Sequence, residues 1–180
     1  WTWINDANVF ELDGSGAART DAAGSGDFIS TLDFLDADVS VIARIIRNTD
    51  TTDAPGLTIR YVDASNYAYV RVNDVDASNA TIELRKVIAT VDSQVAISGN
   101  VSWARAGAHY LNVVTHGTNT RVFVERTEML NTTMDDAAIN AGTKHGLFAD
   151  DQNDHEWREF GGFKSLFFGK IVKIQPRPNL

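Results

Sequence analysis

The chain has 180 residues, 43% of them hydrophobic, enough for one domain with a real core. A net charge of −8 with no cluster of Lys and Arg excludes nucleic acid and anionic membrane as partners, because both select for clustered cations. With no cysteine, a disulfide framework, a thiolate nucleophile and a cysteine-ligated metal are excluded as well.

Residues 1–12, WTWINDANVFEL, carry two tryptophans and read as a terminal strand docked on the domain. A chain starting at Trp1 is expected to be a processed product or a fragment of a longer polypeptide. Residues 13–27, rich in Gly and small polar side chains, are too poor in apolar groups to bury themselves and read as a surface loop. Residues 28–34 and 39–46 follow as strands. The second, VSVIARII, is β-branched and apolar on both faces toward its end. Residues 48–56 form a polar loop.

Residues 56–88 then hold three alternating runs, 57–62, 67–72 and 82–88, separated by two copies of Asp-Ala-Ser-Asn at 63–66 and 76–79. Period two fits strands and excludes a helix face. It places Leu57, Ile59 and Tyr61 on one side, with Ala68, Val70 and Val72 and then Ile82, Leu84 and Ile88 in the same role. The tetrapeptides are turn chemistry, since Asp, Ser and Asn side chains bond backbone amides two residues on. The three runs therefore make a β-meander.

Further strands are expected at 91–97, 109–115, 120–126 and 144–149. A turn is expected at 98–100 and a hairpin loop at His116-Gly117-Thr118-Asn119. Residues 129–140 are the one segment where a short helical turn is expected. Residues 157–174 outweigh any other window in apolar area and should hold the last strands and much of the core. The closing QPRPNL, with two of the three prolines, reads as a tail. Strands at intervals of 8 to 12 residues make the chain all-β: a two-sheet antiparallel β-sandwich over residues 1–174, with 175–180 as its tail.

Several stretches together resemble the concanavalin A-like lectin/glucanase superfamily, and within it the laminin-G-like modules of bacterial and phage surface proteins. They are Gly56-Leu57, Arg60-Tyr61-Val62-Asp63, Asn66 to Val72 and Ile82 to Val87, followed by Leu111, Val113, Gly117, Val122, Phe123, Val124 and residues 142–148. The resemblance spans about residues 28–168. Two positions depart from it: Ala108 stands where the family usually has Trp, and Glu125-Arg126 replaces an Asp-Gly turn. The resemblance implies a jelly roll used for binding glycans or proteins and appended to enzymes, adhesins or viral fibres. Fold alone does not fix function, so the site has to be argued from residues.

If Ala68, Val70 and Val72 face inward, Tyr67, Tyr69 and Arg71 face outward. The same alternation turns out Tyr110 and Asn112, and Arg121 with Phe123. Aromatic faces stack on the C–H patches of sugars while Arg and Asn bond to hydroxyls, so Tyr67, Tyr69, Arg71, Tyr110, Asn112 and Arg121 are the candidate glycan site. Asp150, Asp151, Asn153, Asp154 and Glu156 put five oxygen-bearing side chains in seven positions, the chemistry of a structural calcium, which the resemblance also implies near a sheet edge. Catalysis is not expected. The Glu-x-Asp-x-Glu strand of the family's glucanases is absent, Glu156 and Glu159 would fall on opposite faces of a strand, and the four histidines lie in separate segments.

The expectation is a non-catalytic carbohydrate-binding module of a modular surface or virion protein, extracellular or on a virion, with a glycan or polysaccharide as partner. A structural module meeting protein neighbours in a larger assembly, such as a phage capsid or tail decoration domain, is the alternative. So is a binding module appended to a polysaccharide-degrading enzyme.

Overall fold

The computed structural model describes residues 2–4, 10–12, 17–20, 27–47, 54–150 and 155–164. Its strands are β1 (Thr2–Ile4), β2 (Phe10–Leu12), β3 (Ala18–Thr20), β4 (Asp27–Asp33), β5 (Val39–Ile46), β6 (Ala54–Asp63), β7 (Asn66–Asp74) and β8 (Asn79–Ile88). They continue with β9 (Val91–Ile97), β10 (Val101–Ser102), β11 (Ala108–His116), β12 (Asn119–Val124), β13 (Thr127–Thr133), β14 (Lys144–Asp150) and β15 (Glu156–Lys164). Among the described residues there is no helix. One sheet runs β1-β4-β14-β6-β7-β8-β10, with β9 also on β8; the other runs β13-β12-β11-β5-β15-β3-β2. Every pairing is antiparallel. The chain is therefore an all-β, two-sheet sandwich of the jelly-roll type.

Alternation explains the core. Val39, Val41, Ala43 and Ile45 of β5, and Leu111 and Val113 of β11, are fully buried and meet Leu57, Ile59, Ala68, Val70, Val72, Ile82 and Leu84 from the facing sheet. Trp157 of β15 joins them and donates its indole N–H to the Gly56 carbonyl at 2.9 Å, tying the two sheets together. Both Asp-Ala-Ser-Asn copies are turns. Asp63 Oδ1 accepts the Ser65 amide at 2.7 Å, and Asp76 Oδ1 accepts the amides of Ser78 and Asn79 at 2.7 and 2.9 Å.

Several expectations are corrected. Residues 1–12 do not form one strand: β1 pairs with β4 in one sheet and β2 with β3 in the other, each satisfying backbone groups that an edge leaves open. Ala18–Thr20, inside the expected surface loop, is a strand because β2 and β15 supply its ladder partners, and pairing overrides a weak local composition. The expected helical stretch begins as β13, paired with β12; only at 136–140 does the chain close a single turn, Asn140 N–H to the Asp136 carbonyl at 2.9 Å. Of residues 157–174, those up to 164 form β15, and the rest lie outside the described residues, as does the tail.

Tyr61 does not share a face with Leu57 and Ile59. A bulge between Ile59 and Asp63, with Arg60 at φ 50°, rotates Tyr61 to the outer side. Arg60 turns inward and is fully buried, donating to the Gly117 carbonyl and to Asn140 Oδ1 (3.1 Å) with Asp38 3.6 Å away. Burial lowers its pKa, and the Asp38 charge opposes that shift. Beside it, His145 of β14 is fully buried. Its Nδ1 accepts the Arg60 amide at 3.3 Å, and its Nε2–H donates to the Asp36 carbonyl at 3.1 Å. Burial pushes its pKa down to about 4, so the ring is neutral at physiological pH.

Candidate glycan-binding groove

The two outer sheet faces received the candidate residues in separate sets. On the first sheet, Tyr67 and Tyr69 do point away from the core, yet they are only 5% and 1% exposed. Tyr61, Tyr67, Tyr69, Phe148, Ile29 and Val87 form a second apolar cluster there. Tyr69 stacks on Phe148 with centroids 4.0 Å apart, Tyr67 stacks on Tyr61 at 5.8 Å, and the Tyr69 hydroxyl donates to Asp92 at 3.0 Å. Arg71 bonds Glu83 at 3.0 Å and also Asp150. The expectation of exposure is corrected for the two tyrosines: the bulge adds Tyr61 to the same face, and aromatic side chains one strand apart bury one another.

The second sheet presents an open surface. Registry aligns Phe123 of β12 with Asn112 of β11 and Ile42 of β5; one row over, Arg121 aligns with Val114 and Ser40, and on the other side Tyr110 aligns with Arg44. Ile42, Tyr110, Asn112, Val114, Phe123, Glu125 and Arg126 line a groove of about 640 Å³, within the usual range for small-ligand sites. Leu111, Val113, Val122 and Val124, alternating with these residues, anchor the strands from below.

Polar contacts hold the lining in place. The Ser40 hydroxyl donates to Asn112 Oδ1 at 3.0 Å, leaving the amide N–H groups of Asn112 as donors. The Tyr110 hydroxyl donates to Glu159, and that bond raises its pKa. Glu159 sits at φ 53° within the β15 bulge between Arg158 and Gly161. Arg121 does not line the groove; its guanidinium lies 5.0 Å over the Phe123 ring and pairs with Glu128, so it supports the aromatic platform. A bulge between Val122 and Phe123 in the β12–β13 ladder re-aims the ring.

The turn from β12 to β13 is Glu125-Arg126, both left-handed at φ 48° and 74°. Such hairpin turns match strand twist but favour Asn-Gly, and side chains with a Cβ cost roughly 1–2 kcal/mol per residue there. Glu125 Oε1 accepts the Tyr110 amide at 3.0 Å and lies 3.4 Å from the His109 ring.

Of the candidate residues, Tyr110 and Asn112 meet in the groove, Arg121 buttresses it, and Tyr67, Tyr69 and Arg71 belong to the opposite sheet. Phe123, which alternation turned outward, was not among the sequence candidates, and neither were Ile42, Val114, Glu125 and Arg126. The legible signal for two of them was the apolar outer side of VSVIARII and HYLNVVT, which a solvated face would not carry. Of the acidic segment, Asp150 pairs with Arg71 and Glu156 with Arg158, while Asp151, Asn153 and Asp154 lie outside the described residues. Among the described residues no group of three or more His, Asp or Glu is placed to hold a metal. Both described members of the expected calcium set, Asp150 and Glu156, are bonded to arginines.

No protein-family model and no curated protein matches the chain. Solved structures do. A carbohydrate-binding module from Bacillus subtilis superposes with a TM-score of 0.59 at 12% identity over 89% of this chain and 90% of that one. The shared feature is the fold, a two-sheet antiparallel β-sandwich. A homodimeric agglutinin from chicken liver matches with a TM-score of 0.54 at 10% identity, over 74% of this chain and 98% of that one. A xylan β-1,4-xylosidase from Bacillus halodurans gives a TM-score of 0.67 at 14% identity over 87% of this chain, which spans only 34% of the xylosidase chain.

Proposed function

We propose that this chain is a non-catalytic, lectin-like carbohydrate-binding module, and that the groove on the outer face of the second sheet is its glycan site. The observation that carries the reading is that Phe123 faces Asn112 across adjacent strands, with Tyr110 two residues along the same strand as Asn112, in one open groove. A half-buried aromatic ring offers a face for sugar C–H groups, and the Asn112 amide offers directional donors beside it. The solved structures that share the fold include a carbohydrate-binding module and an agglutinin, which supports the same reading. An extracellular or virion-surface setting, in a modular protein, belongs to this proposal.

The test is a glycan array probed with the 180-residue chain and with Phe123→Ala and Asn112→Ala. Selective retention that both substitutions reduce is expected. Retention insensitive to both would move the site elsewhere, and silence from a folded chain would remove the glycan reading. A run with calcium and one with chelator test the expected metal. A calcium-dependent rise in Tm that Asp151→Ala with Asp154→Ala removes is the outcome that supports it.

The competing reading, an assembly module meeting protein neighbours, is favoured by one observation. Val91 and Ile97 of β9 are 67% and 47% exposed on a strand with a single ladder partner among the described residues. Attachment to a polysaccharide-degrading enzyme differs only in what accompanies this domain; the xylosidase likeness, limited to a third of that enzyme, supports it.

A further inference from the structure

The turn at Glu125-Arg126 carries backbone strain that Asn-Gly would not, and strain kept at the mouth of a groove calls for a reason. Glu125 has one in the fold itself: its carboxylate caps the Tyr110 amide at the end of β11. Arg126 has none. It is exposed, lines the groove, and among the described residues makes neither an ion pair nor a side-chain hydrogen bond. Every other arginine whose side chain is described has a carboxylate within 4 Å: Arg44, Arg47, Arg60 and Arg71 do, and so do Arg85, Arg105, Arg121 and Arg158. In a chain of net charge −8 that pairs its arginines so thoroughly, an arginine held over a binding groove without a carboxylate is the exception.

The other polar groups of the groove point the same way. The Asn112 oxygen is occupied by the Ser40 hydroxyl and its N–H groups are not, while the Tyr110 proton is given to Glu159. Glu125, the carboxylate in the lining, is engaged by the Tyr110 amide and faces the His109 ring. Beside the second carboxylate oxygen of Glu125 and the lone pairs of the Tyr110 hydroxyl, the groove offers a ligand the Asn112 N–H groups and one guanidinium, and the guanidinium is the group suited to an acceptor-only partner. A neutral sugar hydroxyl would use one donor at a time, whereas a carboxylate or sulfate takes two from the planar guanidinium fork.

We propose that the ligand of this groove is an acidic glycan, and that Arg126 binds its carboxylate or sulfate while Phe123 and Asn112 hold the sugar ring. This rests on the reading of the groove as a glycan site.

The experiment is titration calorimetry of the 180-residue chain with oligomers of a polyuronate and of a sulfated polysaccharide, and with their carboxyl-reduced and desulfated counterparts. Wild type, Arg126→Gln and Arg126→Gly are compared, and Tm is recorded for each. The expected result is that one acidic oligomer binds about 10- to 100-fold more tightly than its neutral counterpart, and that both substitutions abolish this preference. Arg126→Gly should at the same time raise Tm by about 2–4 °C, because glycine relieves the left-handed backbone. Equal affinity for acidic and neutral forms, or an unchanged preference in Arg126→Gln, would overturn the proposal while leaving the glycan site standing. A fall in Tm in Arg126→Gly would also overturn it, since the residue would then serve the fold. No binding to any oligomer by folded wild type would overturn the acidic-glycan proposal, and the glycan array would then decide whether the glycan site itself stands.

Discussion

The outer faces of the two sheets begin with the same materials, tyrosine, arginine and asparagine on strands of period two, and reach opposite ends. On the first sheet, three tyrosines and Phe148 stack, and Arg71 and Arg85 are tied to Glu83, Asp92 and Asp150. On the second, Tyr110, Asn112 and Phe123 stand apart along a groove, with Ile42 and Val114 as apolar floor. What separates the two is neighbour identity across the strands. Where aromatic residues sit beside aromatic residues they bury each other; where they sit beside Asn, Ser and β-branched residues they leave a concavity. An aromatic residue on an outward-facing position is thus a binding residue only if the adjacent strands leave its face uncovered.

Truncation on each face gives the largest contrast. Tyr69→Ala should lower unfolding free energy by about 3–5 kcal/mol, as expected for removing a buried aromatic side chain, without a specific effect on the groove. Phe123→Ala, half-buried, should cost about 1 kcal/mol or less and remove binding. Urea unfolding paired with calorimetry reads both, and a stable Tyr69→Ala that had lost its ligand would reverse the assignment of the two faces.

Acid separates the closed interior from the open groove by a slightly smaller amount. His145 binds a proton only near pH 4 when folded but near 6.5 when unfolded. Between those values the unfolded chain holds more protons, so stability is complete above pH 6.5 and falls as pH drops through the window, by about 3 kcal/mol at pH 4. His145→Gln should flatten that slope in pH-dependent unfolding; an unchanged slope would place the acid sensitivity elsewhere.

Arg71→Ala comes next. It leaves the Glu83 carboxylate, 7% exposed, without one of its two arginines and should cost about 1–3 kcal/mol in chemical denaturation. A neutral result would mean that Arg85 alone compensates. Asn112→Ala should be the mildest for the fold, within about 0.5 kcal/mol of wild type, and should weaken glycan binding about tenfold in calorimetry. A stability loss several times larger would show that the Ser40 to Asn112 bond belongs to the scaffold.

Much of the scaffold was legible in the residues. The strand over 39–46, the meander from 57 to 88, both Asp-Ala-Ser-Asn turns and the hairpin at Gly117 follow from alternation and turn chemistry, both of which act over a few residues. The bulge at Arg60 was not legible, because nothing local demands a left-handed arginine; its long-range partners Asp38, Gly117 and Asn140 do. Half of the candidate site was legible for the same reason. Alternation correctly turned Tyr67 and Tyr110 away from the core, but exposure depends on which strands lie alongside, and that is a matter of sheet order.

By itself the sequence determined the all-β class, the position of most strands and the inward set of apolar residues, because period and turn propensity are properties of adjacent positions. Only the tertiary structure decided that β5 lies between β11 and β15, that Ile42, Asn112 and Phe123 share a row, and that the tyrosines of β6 and β7 close over one another. Those outcomes depend on strand order and register between segments more than 100 residues apart, as when Trp157 donates to Gly56. No short-range preference encodes such distances.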